Sequence, residues 1–143
     1  MKKIIGRTDK ADFPKLKLLD IDVKIDTGAY TSSIHCKNVR IEDNYLKCQF
    51  LDENHPQYNG KEFTFDEYDV RVVKSSNGIA EPRYRIKTQI VMFGKTYEIF
   101  LTLSDREEMR FPVLLGRKFL SRRFIVDINK TDLSHKQKTQ TDD

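Results

Sequence analysis

The sequence predicts a mostly β fold, a small closed β-barrel with one or two short helical turns. Apolar and polar residues alternate with a period of two over residues 19–26, which is typical of a half-buried strand. Short strand-like runs separated by turn residues fill residues 70–103 and predict antiparallel hairpins. Because the chain shows neither an internal repeat nor a long helical period, a closed barrel is the expected way to bury these strands.

Size and composition favour one domain in a reducing compartment. A chain of 143 residues, 38% hydrophobic and 34% charged, is long enough for one core but short for two. No apolar run approaches the ~20 residues of a membrane helix, and no secretory signal follows the first lysines, so we expect a cytoplasmic protein without a membrane partner. Cys36 and Cys48 are too few to staple this domain and are expected to be free thiols.

The apolar content places the domain over residues 1–128. Residues 129–143 carry almost no apolar side chains, so we expect a polar, disordered tail. Residues 38–69 lie inside this domain and carry a weaker strand pattern. They contain strand-like pieces at 45–51 and 61–65, separated by a polar loop with turn residues.

The first clear strand ends in a carboxylate. Its predicted inward-facing residues are Leu19, Ile21, Val23 and Ile25. Asp26 follows them directly, at the end of the strand. Leu16 and Leu18 have the opposite parity, so a bulge is expected between them and the strand proper.

Hairpins and short helical turns are expected in the second half of the domain. The strands predicted after the polar loop are residues 70–74, 83–92 and 96–103. Ser104 and Glu107 stand at the spacing of a capping box, which predicts one helical turn that ends before Pro112. An apolar strand, a glycine, a brief helix and a last strand at 124–128 complete the domain.

Residues 26–29, Asp-Thr-Gly-Ala, place a carboxylate, a hydroxyl and a glycine at the end of an apolar strand. A carboxylate there is costly to bury unless it is hydrogen-bonded, paired or used in chemistry. Gly28 allows a tight turn and the close approach of a substrate or a second chain, and the Thr27 hydroxyl can bond to nearby backbone. Alone, this pattern fits a functional carboxylate and an ordinary turn aspartate equally well, and only together with Leu-Leu-Gly-Arg at residues 114–117 does it favour the functional carboxylate.

A second segment, Val-Leu-Leu-Gly-Arg at residues 113–117, is an apolar strand that runs into a glycine and is suited to pack beneath this turn. Asp-Thr-Gly-Ala followed at a distance by Leu-Leu-Gly-Arg resembles the retropepsin-like aspartic peptidases. The ordered segments KIDTGAYTSSIH, SSNG, LSDREEMRFPVLLGR and RFIVD resemble more closely the bacterial RimB-like retropepsin homologues. That group also carries the label of ATP-dependent zinc proteases and is often associated with a glutamate ligase. The resemblance covers roughly residues 3–128, within which residues 38–69 are the expected insertion relative to a minimal viral retropepsin.

The resemblance implies a retropepsin-like (acid protease) barrel and a role for each matching residue. Asp26 matches the catalytic aspartate, Thr27 the hydroxyl that braces the active-site loops across a dimer, and Gly28 the turn. The residues that support this active-site loop are then Ala29, Leu114, Leu115 and Gly116. A hairpin over residues 74–85 stands where such proteins carry a flap. The candidate substrate-binding residues are Ser76, Asn77, Gly78, Arg83, Arg85 and Arg117.

The mechanism that this family uses requires a pair of carboxylates. Two carboxylates held close together share one proton, so one takes a proton from water while the other protonates the substrate carbonyl. This chain has one Asp-Thr-Gly. We therefore expect a twofold homodimer to which each subunit contributes Asp26.

A zinc site is the rival interpretation, and the sequence supports it weakly. The chain lacks the His-Glu-x-x-His motif of zinc peptidases. The available ligands are His35, Cys36, Cys48 and His55. On a strand, His35 and Cys36 point to opposite faces, which argues against one shared ion. The chain also lacks a phosphate-binding Gly-x-x-x-x-Gly-Lys-Ser/Thr loop, so we expect neither a metal nor a cofactor.

The resemblance suggests glutamate-rich protein tails as substrates and a glutamate ligase as a functional partner. Basic side chains suited to attract such tails are Arg83, Arg85, Arg117, Lys118, Arg122 and Arg123. A barrel that binds extended peptides without hydrolysing them is the alternative. The net charge of +4 also fits an RNA- or ribosome-contacting domain, but the basic residues lack an aromatic stacking pattern, which disfavours nucleic acid.

Overall fold

The computed structural model describes residues 2–74, 77–105 and 110–140. The strands within these ranges are β1 (Lys3–Ile5), β2 (Thr8–Phe13), β3 (Leu18–Ile25), β4 (Ser32–Glu42), β5 (Tyr45–Phe50), β6 (Glu62–Phe65), β7 (Asp69–Lys74), β8 (Ala80–Met92), β9 (Lys95–Ser104), β10 (Val113–Leu115) and β11 (Phe124–Val126). The helices are α1 (Arg117–Leu120) and α2 (Leu133–Gln140), and a 3-10 turn covers Pro14–Leu16. None of these helices is long and apolar enough to cross a membrane.

Six strands form a closed barrel, which confirms the predicted fold class. They follow the order β10-β3-β2-β8-β9-β4, and β10 closes the circle because it pairs with both β3 and β4. The β10 strand runs parallel to β3, with Leu115 opposite Ile25, and antiparallel to β4, with Leu114 opposite Ser33. The segment predicted to pack beneath the Asp26 turn is therefore the strand that closes the barrel.

The alternation predicted for the first strand is confirmed from Ile21 onward and wrong at its start. Ile21, Val23 and Ile25 are buried, but Leu19 is 62% exposed and Leu18 faces the core. Asp20 adopts a left-handed conformation (φ 51°), and the register between β2 and β3 shifts at this point. The bulge therefore lies after Leu18, because an extra residue there turns both Leu18 and Ile21 inward.

The remaining strands extend the sheet outward from the barrel. The β4 strand pairs with β9 over its first residues and with β5 over its second half, and β6 adds to β5. The β7 strand pairs with the first half of β8 and forms the expected flap hairpin, whose β8 arm begins at Ala80. The β8–β9 turn is tight because Phe93 and Gly94 both adopt positive φ, as a two-residue hairpin turn requires.

The structure tests three further sequence predictions. The last strand ends at Val126, two residues before its predicted end. Ser104 is the final residue of β9, and the predicted helical turn after it lies mostly outside the described residues. Cys36 and Cys48 are free and buried, as expected, and burial raises the pKa of the Cys48 thiol to about 12.

The structure corrects the predicted disordered tail for residues 129–140. Asp9 is 1% exposed and accepts hydrogen bonds from the N–H groups of Ser134 (2.8 Å) and His135 (3.1 Å), at the start of α2. The Ser134 hydroxyl in turn accepts one from the Phe93 N–H (2.8 Å). Low apolar content misled the prediction because polar contacts, rather than an apolar stripe, hold this helix against the barrel.

Asp9→Ala should release α2 from the barrel. The substitution leaves buried N–H groups unsatisfied, so we expect the free energy of unfolding to fall by about 1–3 kcal/mol, as measured by urea denaturation. Hydrogen exchange of the Ser134 and His135 amides should become faster. Asp22→Ala, which removes an exposed ion pair with Lys10, is the control and should change stability little. Unchanged protection of the two amides in Asp9→Ala would show that other contacts hold the helix.

Candidate active site

Asp26 lies directly after β3, where β3 and β10 end side by side. The Asp26 N–H donates a hydrogen bond to the Leu115 carbonyl (2.8 Å), so the backbone at this residue is tied to β10. The Asp26 side chain is half-buried, whereas Thr27 and Gly28 are exposed. The carboxylate therefore stands at the surface end of the barrel, on a turn whose base is fixed.

The turn itself directs the carboxylate. The Gly28 N–H donates to Asp26 Oδ1 (3.1 Å), and the Ala29 N–H donates to the Asp26 carbonyl (3.2 Å). A Cβ atom added to Gly28 would lie 3.4 Å from Asp26 Oδ1, which is ordinary contact, and Gly28 does not have a positive φ. Within one subunit the turn therefore does not require glycine at this position.

Close backbone contacts require a glycine at residue 116. A Cβ atom there would lie 2.4 Å from the Thr31 carbonyl oxygen and 2.9 Å from that of Ala29. The Gly116 N–H also donates to the Ser32 hydroxyl (2.9 Å), and Ser32 is buried. This glycine brings the end of β10 into backbone contact with the segment that follows the Asp26 turn.

The first residues of α1 hold the other side of the turn. The Arg117 N–H donates to the Ala29 carbonyl (2.8 Å), and the Lys118 N–H donates to the Tyr30 carbonyl (2.9 Å). The Arg117 guanidinium donates to the Thr27 carbonyl (2.9 Å) and lies 5.8 Å from the Tyr30 ring centroid. The Asp26 turn is thus anchored on β10 at its start and on α1 at its end.

Sequence reasoning identified most of this arrangement and missed two residues. Asp26, Gly28, Ala29 and Leu115 meet as expected, together with Gly116 and Arg117. Ser32 and Tyr30 were not singled out. The local signal for Ser32 was its position at the start of a strand, but its partner is 84 residues away, so spacing along the chain could not reveal it.

The flap candidates in the described residues belong to the β7–β8 hairpin. Asn77 and Gly78 are exposed at the tip of the β7–β8 hairpin, where Gly78 has φ 83°, and Ser76 lies outside the described residues. Arg83 pairs with Glu81. Arg85 makes two hydrogen bonds to Asp69 (2.9 and 2.7 Å) at the base of the hairpin. Neither arginine contacts the Asp26 turn through a hydrogen bond or an ion pair in the described part of the chain.

The residues weighed as zinc ligands do not fit a zinc site. His35 Nε2 lies 2.8 Å from Asp52 Oδ2, whereas the Cys36 thiol donates to the Ser104 carbonyl (3.7 Å). Burial raises the pKa of the Cys36 thiol well above its ordinary value, which disfavours the thiolate that zinc binds. Among residues 2–74, 77–105 and 110–140, no group of three or more His, Cys, Asp or Glu side chains is arranged to hold a metal ion.

This chain is similar in sequence to one protein family and to several known proteins. The family model described as "Retropepsin-like aspartic endopeptidase RimB" matches residues 4–137. Probable alpha-L-glutamate ligases from Shewanella pealeana and Desulfotalea psychrophila are 37% and 35% identical over 130 residues, which is 88% of this chain. The chain spans only 28% of the length of these curated relatives.

A solved structure shares the same architecture. The crystal structure of a Legionella pneumophila protein of unknown function superposes with a TM-score of 0.68 and 25% sequence identity. The match covers 94% of this chain and 99% of the Legionella chain. The barrel and its outer extensions are therefore found together in a second protein.

Gly116→Ala should destabilise the protein much more than Gly28→Ala. A methyl group at residue 116 must displace the Thr31 backbone, which we expect to lower the free energy of unfolding by about 1–3 kcal/mol. Gly28→Ala is the matched control and should change it by less than about 1 kcal/mol. Urea denaturation of both variants makes the comparison, and equal losses would contradict the assignment of the two glycines.

The Asp52 carboxyl predicts a pH dependence of stability. Burial opposes its ionisation, but hydrogen bonds from the Asn54 N–H and from His35 outweigh burial and hold the pKa of Asp52 below its ordinary value. A carboxyl with a lowered pKa stabilises the fold above its unfolded pKa of about 3.9, and this stabilisation disappears as the pH falls through the folded pKa.

Unfolding of wild type and Asp52→Asn in urea from pH 7 to pH 3 measures this contribution. The difference in stability should be constant near neutrality and shrink below about pH 4. Glu67→Gln, at an exposed position, is the control for surface charge. A difference that grows on acidification would contradict the sign of the shift.

Proposed function

Because the chain belongs to the RimB-like family of retropepsin-like aspartic endopeptidases, we propose that it hydrolyses peptide bonds with Asp26 as the catalytic carboxylate. The observation that carries the proposal is the anchored turn. The Asp26 carboxylate accepts a hydrogen bond from Gly28, while β10 and α1 fix the backbone on both sides of it. The Asp26 carboxylate forms no ion pair with a cation of residues 2–74, 77–105 and 110–140, so it is held by backbone contacts.

A second subunit completes the site in this proposal. Among the described residues, no other carboxylate shares a hydrogen bond with Asp26, and the chain has one Asp-Thr-Gly. A twofold axis beside the turn would bring two Asp26 side chains together and place the exposed Thr27 residues where each can brace the opposite loop. The exposure of Gly28 supports this, since its lack of a side chain leaves room for the partner or the substrate.

The reaction then follows general acid–base catalysis. The ionised Asp26 accepts a proton from a bound water, whose oxygen attacks the carbonyl carbon of the scissile peptide bond. The protonated Asp26 of the partner subunit gives its proton to the carbonyl oxygen, which forms a tetrahedral diol. When the carbon–nitrogen bond breaks, Asp26 gives its newly acquired proton to the leaving nitrogen and the partner's Asp26 takes a proton from a hydroxyl of the diol, so the pair again holds one proton.

Acidic, glutamate-rich segments are the proposed substrates. The relatives named probable alpha-L-glutamate ligases match this chain over most of its length, which suggests chemistry on linked glutamates and a glutamate ligase as a functional partner. Arg117 supports acidic substrates, because its guanidinium donates a hydrogen bond to the Thr27 carbonyl and has no carboxylate partner among the described residues. Arg83 and Arg85 are already paired with Glu81 and Asp69, so they are weaker candidates. The free, buried thiols fit a cytoplasmic setting.

A peptide-binding module without hydrolysis is the second candidate. In the described part of the chain, β7 pairs only with β8, so its other edge is open, and Val70 and Val72 are exposed on it. An extended peptide can add to such an edge through backbone hydrogen bonds alone. Peptide binding without Asp26-dependent turnover would favour this candidate over the peptidase.

Asp26→Asn should abolish cleavage while leaving the fold intact. The substitution removes the titrating group, and loss of general acid–base catalysis lowers the rate by about 10²–10⁴-fold. The assay uses a mixed peptide library that includes glutamate-rich peptides, from pH 4 to pH 8, with and without a chelator. Asp22→Asn, on the exposed face of the same strand, is the control and should retain activity. Cleavage that persists in Asp26→Asn would refute the mechanism.

A further inference from the structure

A cleft of about 260 Å³ opens on the outer face of the barrel, between β8, β9 and α1. Thr31 and Ser32 line one end of it, so the cleft begins where the segment after the Asp26 turn enters β4. Lys118 lines it from α1, and the Lys118 N–H is bonded to the Tyr30 carbonyl. The cleft therefore shares its walls with the segments that anchor the candidate active site.

Positive charge dominates this cleft. Its charged lining residues are Arg85, Lys87, Lys118, Arg123 and Glu98. Arg85 is compensated by Asp69, and Arg123 donates to the Phe119 carbonyl (2.8 Å). No ion pair joins Lys87 or Lys118 to a carboxylate of the described residues, so their charges are offset only by the more distant Asp69, which interacts electrostatically with Lys118, and by Glu98 in the cleft lining.

Phe100 gathers these cations around one ring. The side chain is 40% exposed, and its ring centroid lies 4.2 Å from the Arg85 guanidinium, 5.1 Å from the Lys118 ammonium and 5.9 Å from the Lys87 ammonium. Three cations gathered around one ring repel one another, and the ring compensates only part of that repulsion. An anion between the two lysines would relieve the rest.

We propose that this cleft, the Phe100 cleft, binds glutamate side chains of an acidic peptide at a position away from the scissile bond. The lysines would take the carboxylate, while the aliphatic stem of the glutamate packs on the Phe100 ring. A volume of about 260 Å³ fits one or two such side chains and is small for a nucleotide-sized ligand. The inference rests on the proposed function, and it deepens that function by giving the substrate a second point of attachment.

Binding and cleavage separate the two proposals. Binding of a fluorescent hexaglutamate to the Asp26→Asn protein, measured by anisotropy at low salt, examines the cleft without turnover. The Lys87→Gln/Lys118→Gln double variant should bind about tenfold or more weakly, since two charge-assisted contacts are lost. Lys95→Gln/Lys136→Gln removes the same charge from exposed sites outside the cleft and should weaken binding less than about twofold. Phe100→Leu should also weaken binding.

Several results would overturn the cleft. Equal losses of binding in the two double variants would show that overall charge, and not the cleft, causes the effect. Equal binding of hexaglutamine would show that the cleft does not recognise a carboxylate. Displacement of the probe by inorganic phosphate or ATP, but not by unlabelled hexaglutamate, would assign the lysines to phosphate instead. The lysine substitutions are also made in the protein that keeps Asp26. If the KM for cleavage of a glutamate peptide is then unchanged, the cleft proposal is overturned and the peptidase proposal stands. Cleft-dependent binding without any cleavage overturns the peptidase instead.

Discussion

The hydrogen bond from the Asp26 N–H to the Leu115 carbonyl joins the two segments on which the structure depends. The β10 strand has three residues, yet it pairs with β3 on one side and β4 on the other, so it closes the barrel. The same strand ends at Gly116, whose lack of a side chain lets the backbone at Ala29 and Thr31 approach closely. The closure of the barrel and the position of the Asp26 carboxylate therefore depend on the same strand, because displacing β10 would disturb both.

The anchored turn is held in place by its own subunit, and in the proposed mechanism it is incomplete without a second copy. Backbone donors and α1 fix every side of the turn except the one that Thr27 and Gly28 present to solvent. Within one subunit, neither backbone conformation nor crowding requires a glycine at residue 28. The remaining explanation for this glycine is that the space in front of it must stay open. A second copy of the turn and an extended peptide both fit that reason, and in the proposed dimer they share the space.

The sequence could predict the features whose signal is local. Asp-Thr-Gly-Ala and Leu-Leu-Gly-Arg identified the turn and its supporting strand, and turn residues identified the hairpins. Two features escaped, the first because a single residue departs from the extended conformation and the second because its cause is distant in the chain. A left-handed Asp20 moved Leu19 to the surface, and Asp9, more than 120 residues from its partners Ser134 and His135, recruited the polar tail as a helix. The Phe100 cleft likewise depends on side chains from β8, β9 and α1, which only the fold brings together.

Subunit mixing tests the composite site most directly. Wild type and Asp26→Asn are combined at fixed total concentration, allowed to exchange subunits, and assayed for cleavage of a glutamate-rich peptide. If both carboxylates of a pair are needed, activity follows the square of the wild-type fraction, so an equal mixture retains about one quarter of the wild-type rate. Activity in direct proportion to the wild-type fraction, about one half in the same mixture, would mean that each chain acts alone and would contradict the dimeric mechanism.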